Sequence, residues 1–230
     1  MSMHSGHRER VKKRYLQEGL DSFSEIQVLE LLLFYCLPRV DTNPIAHRLL
    51  EHFGGFWQVL DASVEDLAKV EGVGEKAATF LHIVRDAGRF YQVSRSSQAK
   101  ELLNLESCAE YLLPFFHGRS VEMVYLLCMD ARCRVLCCKK MEEGSVNSTT
   151  ISIRKIVAAA LAVNASSVVL AHNHPSGLAI TSQEDLQITR QVAMALQAVE
   201  ITLADHVIVA DGDYVSLAVS EPKYQQYLMV

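Results

Sequence analysis

The chain has 230 residues, half of them hydrophobic, and its 22 basic and 27 acidic side chains give a formal net charge of −5. This length allows one large domain or two small ones, and the hydrophobic content is enough for a substantial core. Residues 1–95 hold 12 Lys/Arg and 13 Asp/Glu, and residues 96–230 hold 10 and 14. Neither half is as positive as a strong general nucleic-acid binder, so any DNA contact must be local.

The composition also predicts the cellular setting. The first fifteen residues lack the apolar centre of a secretory signal, and no apolar run is long enough to cross a membrane. Six cysteines without an export signal favour reduced thiols in a cytoplasmic protein. Four of them cluster without Cys-x-x-Cys spacing, which predicts buried or half-buried thiols rather than a second metal site; they are Cys128, Cys133, Cys137 and Cys138.

Residues 1–95 predict a small all-α domain. A helix that begins near Ser22 or Ser24, both suitable N-caps, is apolar nearly all round and should occupy the centre of this domain. A second helix is expected over residues 43–54, with proline at an early position, and a short third helix over residues 56–60.

The next segment has the pattern helix, tight turn, helix, and resembles a helix-hairpin-helix motif. Gly72 and Gly74 let the backbone approach a phosphate, whose charge the amides of the second helix and Lys76 would accept. This predicts local, sequence-independent binding of DNA. The alternative is a compact hairpin that binds nothing, because two acidic residues beside the turn would repel phosphate; they are Glu71 and Glu75.

Small polar residues over 96–104 predict a linker to a second domain, residues 105–230. A helix is expected from about residue 106, followed by a hairpin of strands 121–129 and 134–141. A helix, a buried strand, a second helix and two final strands complete the prediction; their expected ranges are 153–165, 167–171, 183–199, 201–210 and 214–217. Strands and helices mixed around one sheet are typical of an α/β sandwich.

The apolar run that ends at Ala171 leads directly into His172 and His174. In extended backbone, residues i and i+2 project to the same side, so both imidazoles can reach one point. A proline and a glycine then turn the chain, and Asp185, in the first turn of the next helix, can reach back toward that point. Two neutral imidazoles and one carboxylate form a three-ligand zinc set with a position left for water, as in catalytic zinc sites.

The same residues allow a second interpretation. Ser182 and Asp185, spaced for a capping box ahead of an apolar-periodic run, can start a helix without any metal. His172 and His174 would then be polar loop residues. The coincidence of all three features at the end of one buried strand favours the metal site.

His172-x-His174-Pro175 followed by Ser182-x-x-Asp185 resembles the JAMM (MPN+) metalloprotease motif, and the wording His-Asn-His-Pro-Ser-Gly is similar to the RadC-like branch of that family. The similarity covers about residues 106–220, and the helical region resembles the one that precedes this domain in RadC-like proteins. The resemblance implies an MPN (JAB)-type α/β sandwich, zinc as cofactor, the metal ligands His172, His174 and Asp185, and an oxyanion-stabilising role for Ser182.

The activity that this resemblance implies is metal-assisted hydrolysis of a peptide or isopeptide, for which a carboxylate must accept the proton of water. The family's glutamate is expected five residues before Gly144, where this chain has Lys139. In a regular strand Glu143 would keep the facing of Lys139 and Glu142 would face away, so Glu143 is the predicted base.

Two other hypotheses remain open. Both glutamates could be solvated turn residues, in which case the chain is a non-catalytic metal-binding module. RadC-like proteins also carry a DNA-repair label, which together with the Gly72–Gly74 turn and the basic segment 8–14 suggests a DNA-associated protein.

Overall fold

A computed structural model describes residues 3–96, 101–144, 151–175 and 177–221. The chain forms two compact units, residues 1–88 and 89–230. The division falls inside a helix, seven residues before the boundary expected from sequence. Residues 97–100 of the expected linker lie outside the described residues.

The described part of the first unit is helical, with the apolar second helix in its core. Leu29 and Leu33 of this helix are fully buried and belong to the same core as Leu49 and Leu81, in agreement with the central position expected from sequence. The helices of this unit are α1 (Met3–Glu18), α2 (Glu25–Cys36), α3 (Asn43–Phe53), α4 (Phe56–Asp61), α5 (Val64–Lys69) and α6 (Gly74–Ser96).

Arg8, in the basic segment near the start, is engaged by the fold. Its guanidinium donates to the carbonyls of Phe34 and Leu37 at the end of α2, and it lies 4.7 Å from the centre of the Phe34 ring. Carbonyls at a helix C-terminus have no partner within the helix and carry partial negative charge, so a cation stabilises them. Arg8 therefore caps the C-terminus of α2, and Arg14 donates to the Ser22 carbonyl in the turn between α1 and α2.

The second unit contains a five-stranded mixed sheet in the order β2-β1-β3-β4-β5. Strand β1 is antiparallel to both of its neighbours, β3 and β4 are parallel, and β5 returns antiparallel to β4. The elements are α7 (Leu105–Phe116), β1 (Glu122–Met129), β2 (Val135–Gly144), α8 (Ile153–Ala162), β3 (Ser167–Asn173), α9 (Gln183–Gln197), β4 (Thr202–Ala210), β5 (Asp213–Ser216) and α10 (Leu217–Ser220).

Helices cover both faces of this sheet, which confirms the expected α/β sandwich. One face packs against α8 and α9, here named the α8–α9 face, and the other packs against α7. Because successive side chains of a strand point to opposite faces, those of β1 alternate between the two cores: Val124, Leu126 and Cys128 lie on the α8–α9 face, and Met123, Tyr125 and Leu127 lie on the α7 face.

The central strand β3 positions the two predicted histidines. It lies between β1 and β4 and is buried along nearly its whole length, which matches its continuous run of apolar residues. The hydrogen bonds between β3 and β4 continue one residue beyond the end of β3, since the His174 amide donates to the Val209 carbonyl at 2.8 Å. The end of β3, which contains His172, is therefore held by β1 on one side and by β4 on the other.

The six cysteines all lie within the described residues and none is disulfide-bonded. Cys128 is buried and the other three of the cluster are half-buried, as expected from sequence. Burial raises the pKa of the Cys128 thiol to about 12, so it is protonated at neutral pH. Among the helices that the structure describes, none combines the length and apolarity needed to cross a bilayer.

Candidate metal centre

Three side chains converge at the end of β3. The His172 Nε2 atom lies 3.0 Å from His174 Nε2 and 3.0 Å from Asp185 Oδ1, and His174 Nε2 lies 3.6 Å from Asp185 Oδ2. His172 and Asp185 are buried and His174 is half-buried. Within the described residues, this is the group of His, Cys, Asp and Glu side chains whose ligand atoms are close enough for one metal ion.

The separations suit a small tetrahedral cation. A tetrahedral zinc ion with bonds of about 2.0–2.1 Å separates its ligand atoms by roughly 3.3–3.4 Å. The two separations from His172 Nε2, both 3.0 Å, are slightly below that value, and the 3.6 Å from His174 Nε2 to the other carboxylate oxygen, Oδ2, is slightly above it. The donor set, two imidazoles and a carboxylate, is also one that zinc accepts, so these residues fit the group that the sequence predicts.

The capping box expected as an alternative is also present. The backbone amide and the hydroxyl of Ser182 both donate to Asp185 Oδ2, at 2.8 and 2.7 Å, and the Asp185 amide donates back to Ser182 Oγ at 3.1 Å. The second carboxylate oxygen, Oδ1, faces His172. The two interpretations of Asp185 are therefore compatible: Oδ1 faces His172, while Oδ2 accepts from Ser182 and lies 3.6 Å from His174 Nε2.

Asp185 is held as a carboxylate. Burial by itself would raise its pKa, but the hydrogen bond and charge of His172 and the hydrogen bonds from Ser182 outweigh burial and hold the pKa well below its usual range. A deprotonated carboxylate is the form that binds a metal ion.

The imidazole of His174 is oriented by a backbone carbonyl. Its Nδ1 atom lies 3.2 Å from the oxygen of Leu178, and since a carbonyl only accepts, Nδ1 carries the proton. The Nε2 lone pair is then free and points to the other two ligands. A ligand histidine whose second nitrogen donates to a carbonyl is a common arrangement in metal sites.

Two buried polar residues lie behind His172. His206 Nε2 is 2.8 Å from His172 Nδ1, and His206 Nδ1 is 2.6 Å from the Thr189 hydroxyl. From sequence, Asp205-His206 could either orient a metal ligand or form a half-buried strand pair, and nothing in the sequence analysis singles out Thr189. Its signal was available, since Thr189 lies four residues after Asp185 and therefore on the same side of α9.

The expected facing of Glu143 is wrong. Strand β2 contains a β-bulge: Lys140 pairs with Tyr125 and Glu142 pairs with Val124, so Met141 is an extra residue. The bulge reverses the alternation, and Glu142 shares the α8–α9 face with Val124 and its other neighbour, His172. Glu143 is opposite Met123, on the α7 face.

The two carboxylates also have different partners. Glu142 accepts from Lys155 of α8 at 2.7 Å, and its side chain is 24% exposed. Glu143 is 45% exposed and is paired with Lys140, whose hydrogen bond and charge lower the pKa of Glu143. Neither carboxylate belongs to the cluster of three ligands. The Gly144–Asn147 segment lies, from residue 145, outside the described residues.

The predicted DNA-binding turn belongs to the first unit. Gly72 and Gly74 both have left-handed backbone, with φ of 89° and 59°, and Lys76 is exposed in the first turn of α6. A side chain at Gly72 would meet Ile45 at 3.0 Å, and Arg48 Nε donates to the Glu71 carbonyl at 3.1 Å. The turn therefore has the backbone expected of a hairpin, stabilised by packing against α3.

Comparison with known proteins agrees with this fold. Residues 102–222 match the family model of the RadC-like JAB domain. The chain is 30% identical over 218 residues to the UPF0758 protein FN0909 of Fusobacterium nucleatum subsp. nucleatum, covering 92% of this chain and 94% of that protein. It is 33% identical over 203 residues to the UPF0758 protein SPO0054 of Ruegeria pomeroyi, covering 88% and 91%.

The second unit is thus a JAB-type α/β domain with a His-His-Asp cluster at the end of its central strand. The chain as a whole belongs to the RadC-like JAB-domain family, as the sequence His-Asn-His-Pro-Ser-Gly predicts.

Proposed function

We propose that this protein is a zinc-dependent hydrolase that cleaves a peptide or isopeptide bond. The observation that supports it best is the convergence of His172, His174 and Asp185 from a strand end and a helix start, with 3.0–3.6 Å between the nearest nitrogen and oxygen atoms of each pair. Three protein ligands leave a position open for water and substrate, which distinguishes catalytic from structural zinc sites.

A bound zinc ion would supply the Lewis acidity that activates water and polarises an amide carbonyl. The chain's residues have separate tasks around it. His172 and His174 present Nε2 lone pairs, and Asp185 contributes its Oδ1 oxygen. Ser182 is the proposed oxyanion donor; its hydroxyl now donates to Asp185 and would have to turn toward substrate to act.

The β-bulge favours Glu142 over Glu143 as the general base. Glu142 is two strands away from His172 on the same face of the sheet, and neighbouring strands are separated by about 4.8 Å. Glu142 would therefore act on a water between itself and the ligands, as a general base acts within hydrogen-bond reach of the proton that it removes. The Lys155 ammonium holds the carboxylate from α8.

The test is metal content together with hydrolysis. We expect about one zinc per chain in the wild type and about none in His174→Ala, since this variant has only two of the three proposed protein ligands. An internally quenched peptide library and a lysine-branched isopeptide serve as probes, and cleavage should stop on chelation and return with added zinc. Wild-type protein without zinc would contradict the proposal. Zinc without cleavage of either probe would favour a non-catalytic metal-binding module.

A DNA-associated role is the second candidate, favoured by the left-handed glycine turn beside the exposed Lys76. Duplex and branched DNA would be titrated at low salt, where backbone contacts are strongest. Lys76→Gln should weaken binding, whereas Lys69→Gln, an exposed lysine of the same hairpin paired with Asp66, is the matched control. Undetectable binding by the wild type would remove this candidate.

A further inference from the structure

A chain of buried hydrogen bonds connects two of the three ligand residues. It runs from His172 Nδ1 to His206 Nε2 at 2.8 Å, from His206 Nδ1 to Thr189 Oγ1 at 2.6 Å, and from Thr189 Oγ1 to the Asp185 carbonyl at 2.6 Å. His206 and Thr189 are fully buried. The chain therefore begins at one ligand of β3 and returns to the backbone of another ligand on α9.

The chemistry of the end groups sets the direction of every bond. The Asp185 carbonyl only accepts, so the Thr189 hydroxyl donates to it and is left to accept from His206. His206 therefore carries its proton on Nδ1, and its Nε2 atom must accept from His172. His172 in turn is protonated on Nδ1, so its Nε2 is the nitrogen that would bind a metal ion, once the proton that it shares with Asp185 Oδ1 is released.

His206 has only one ring proton to place. An imidazole with one ring proton donates from one nitrogen and accepts at the other, and His206 has Thr189 beside its Nδ1 and His172 beside its Nε2. Each donor in the chain then meets one acceptor, and the network contains no unpaired N–H or O–H.

We propose that His206 and Thr189 are positioning residues, which fix His172 in the tautomer that presents Nε2 to a metal ion and tie it to the helix turn that carries Asp185. This inference rests on the proposed metal site. Neither residue belongs to the ligand cluster. Their proposed role is to hold His172 on β3 and Asp185 on α9 in a fixed position relative to each other.

In a purely structural role, His206 and Thr189 would be a buried polar pair that only stabilises the contact between the sheet and α9. The two roles differ in what they change. A structural pair affects the stability of the fold, whereas a positioning pair affects metal affinity, coordination geometry and the tautomer of His172 in protein that is still folded.

Two substitutions at position 206 separate these roles. His206→Leu removes the acceptor for His172 Nδ1, and we expect zinc affinity to fall about 10–100-fold, as for other outer partners of metal ligands. His206→Gln keeps an acceptor oxygen close to the position of Nε2, so affinity should stay near that of the wild type. His82→Leu, which removes a histidine bonded to the Ala62 carbonyl in the first unit, is the matched control.

Thr189 offers a milder test that keeps the shape of the core. Thr189→Val removes the hydroxyl that selects the His206 tautomer, and affinity should fall about tenfold, the lower end of the range for such partners. Thr189→Ser keeps the hydroxyl and should restore affinity. Thr42→Val, at a buried threonine of the first unit that bonds the Glu30 carbonyl, controls for the loss of a buried hydroxyl.

Zinc affinity would be measured by chelator competition on variants whose folding is verified by circular dichroism. The absorption bands of the cobalt-substituted protein report coordination geometry, and imidazole ¹⁵N shifts report the tautomers. We expect His172 and His206 to be protonated on Nδ1 in the wild type, and His206→Leu to alter the cobalt bands.

Unchanged zinc affinity and cobalt bands in folded His206→Leu and Thr189→Val would overturn the inference and leave the proposed function intact. If His206→Leu does not fold, Thr189→Val with its serine control decides alone. Absence of zinc from the wild type would overturn the proposed function and this inference together.

Discussion

The two candidate sites of this chain differ in how many elements build them. The His172–Asp185 cluster draws atoms from a strand end, a helix start and, behind them, strand β4. The Gly72–Gly74 turn is a single loop. Packing already requires a glycine at position 72, since a side chain there would approach Ile45 to 3.0 Å. Packing within the helical unit accounts for the glycine turn, whereas packing alone does not explain why three ligand atoms meet.

The largest effect is expected from removing the Asp185 carboxylate, which completes the capping box of α9 and which we propose as a metal ligand. Asp185→Ala should lower bound zinc from about one per chain to about none, because two histidines alone do not complete the site. It should also lower the free energy of unfolding of the metal-free protein by about 0.5–2 kcal/mol through the lost cap.

Asp185→Asn separates these two effects. The amide oxygen can still accept from the Ser182 backbone, so most of the cap should remain while zinc is lost. Metal analysis and urea unfolding measure the two quantities. Full zinc retention in either variant would show that Asp185 is only a capping residue.

The second prediction concerns the two adjacent glutamates. Glu142→Gln should lower the rate of probe hydrolysis by roughly 100-fold or more, the usual contribution of a general base. Glu143→Gln should have little effect, because Glu143 is on the α7 face and is paired with Lys140. Rates would be compared at equal zinc content, and the reverse result would restore Glu143 as the base.

The third prediction sharpens the account of the glycine turn. Gly72→Ala should destabilise the protein by roughly 1–3 kcal/mol, because it combines a left-handed backbone with a close contact to Ile45. Gly74→Ala should cost only about 1 kcal/mol, since its side chain would enter open space. Equal costs, measured by urea unfolding, would mean that packing against α3 does not determine this turn.

The smallest effect is a pH dependence from His206. Its folded pKa is below the unfolded value, so the unfolded chain takes up a proton first and stability is lost as pH falls below about 6.5. His206→Gln should remove up to one proton from this dependence, about 1.4 kcal/mol per pH unit between the two pKa values. Identical pH profiles of metal-free wild type and variant would show that His206 is not held neutral by burial.

Local patterns in the sequence predict the helical first unit, the α/β second unit and the three converging side chains. The positions of His172 and His174 follow from strand geometry, and that of Asp185 follows from the capping pattern. Each can therefore be predicted from the residues that surround it in the sequence. The bulge at Met141 could not be predicted, because it depends on how β2 pairs with β1. The use of Arg8 to cap α2 is also not local, since 26 positions separate it from Phe34.

Asp185 uses one carboxylate oxygen toward Ser182 and the other toward His172, and this bears on whether folding or metal binding comes first. In zinc fingers the metal drives folding, and chelators unfold the domain. Here the partners that orient Asp185 and His172 are side chains of the fold itself, Ser182 and His206. The arrangement of the three side chains is therefore a product of folding, and binding of the proposed metal ion would follow folding rather than drive it.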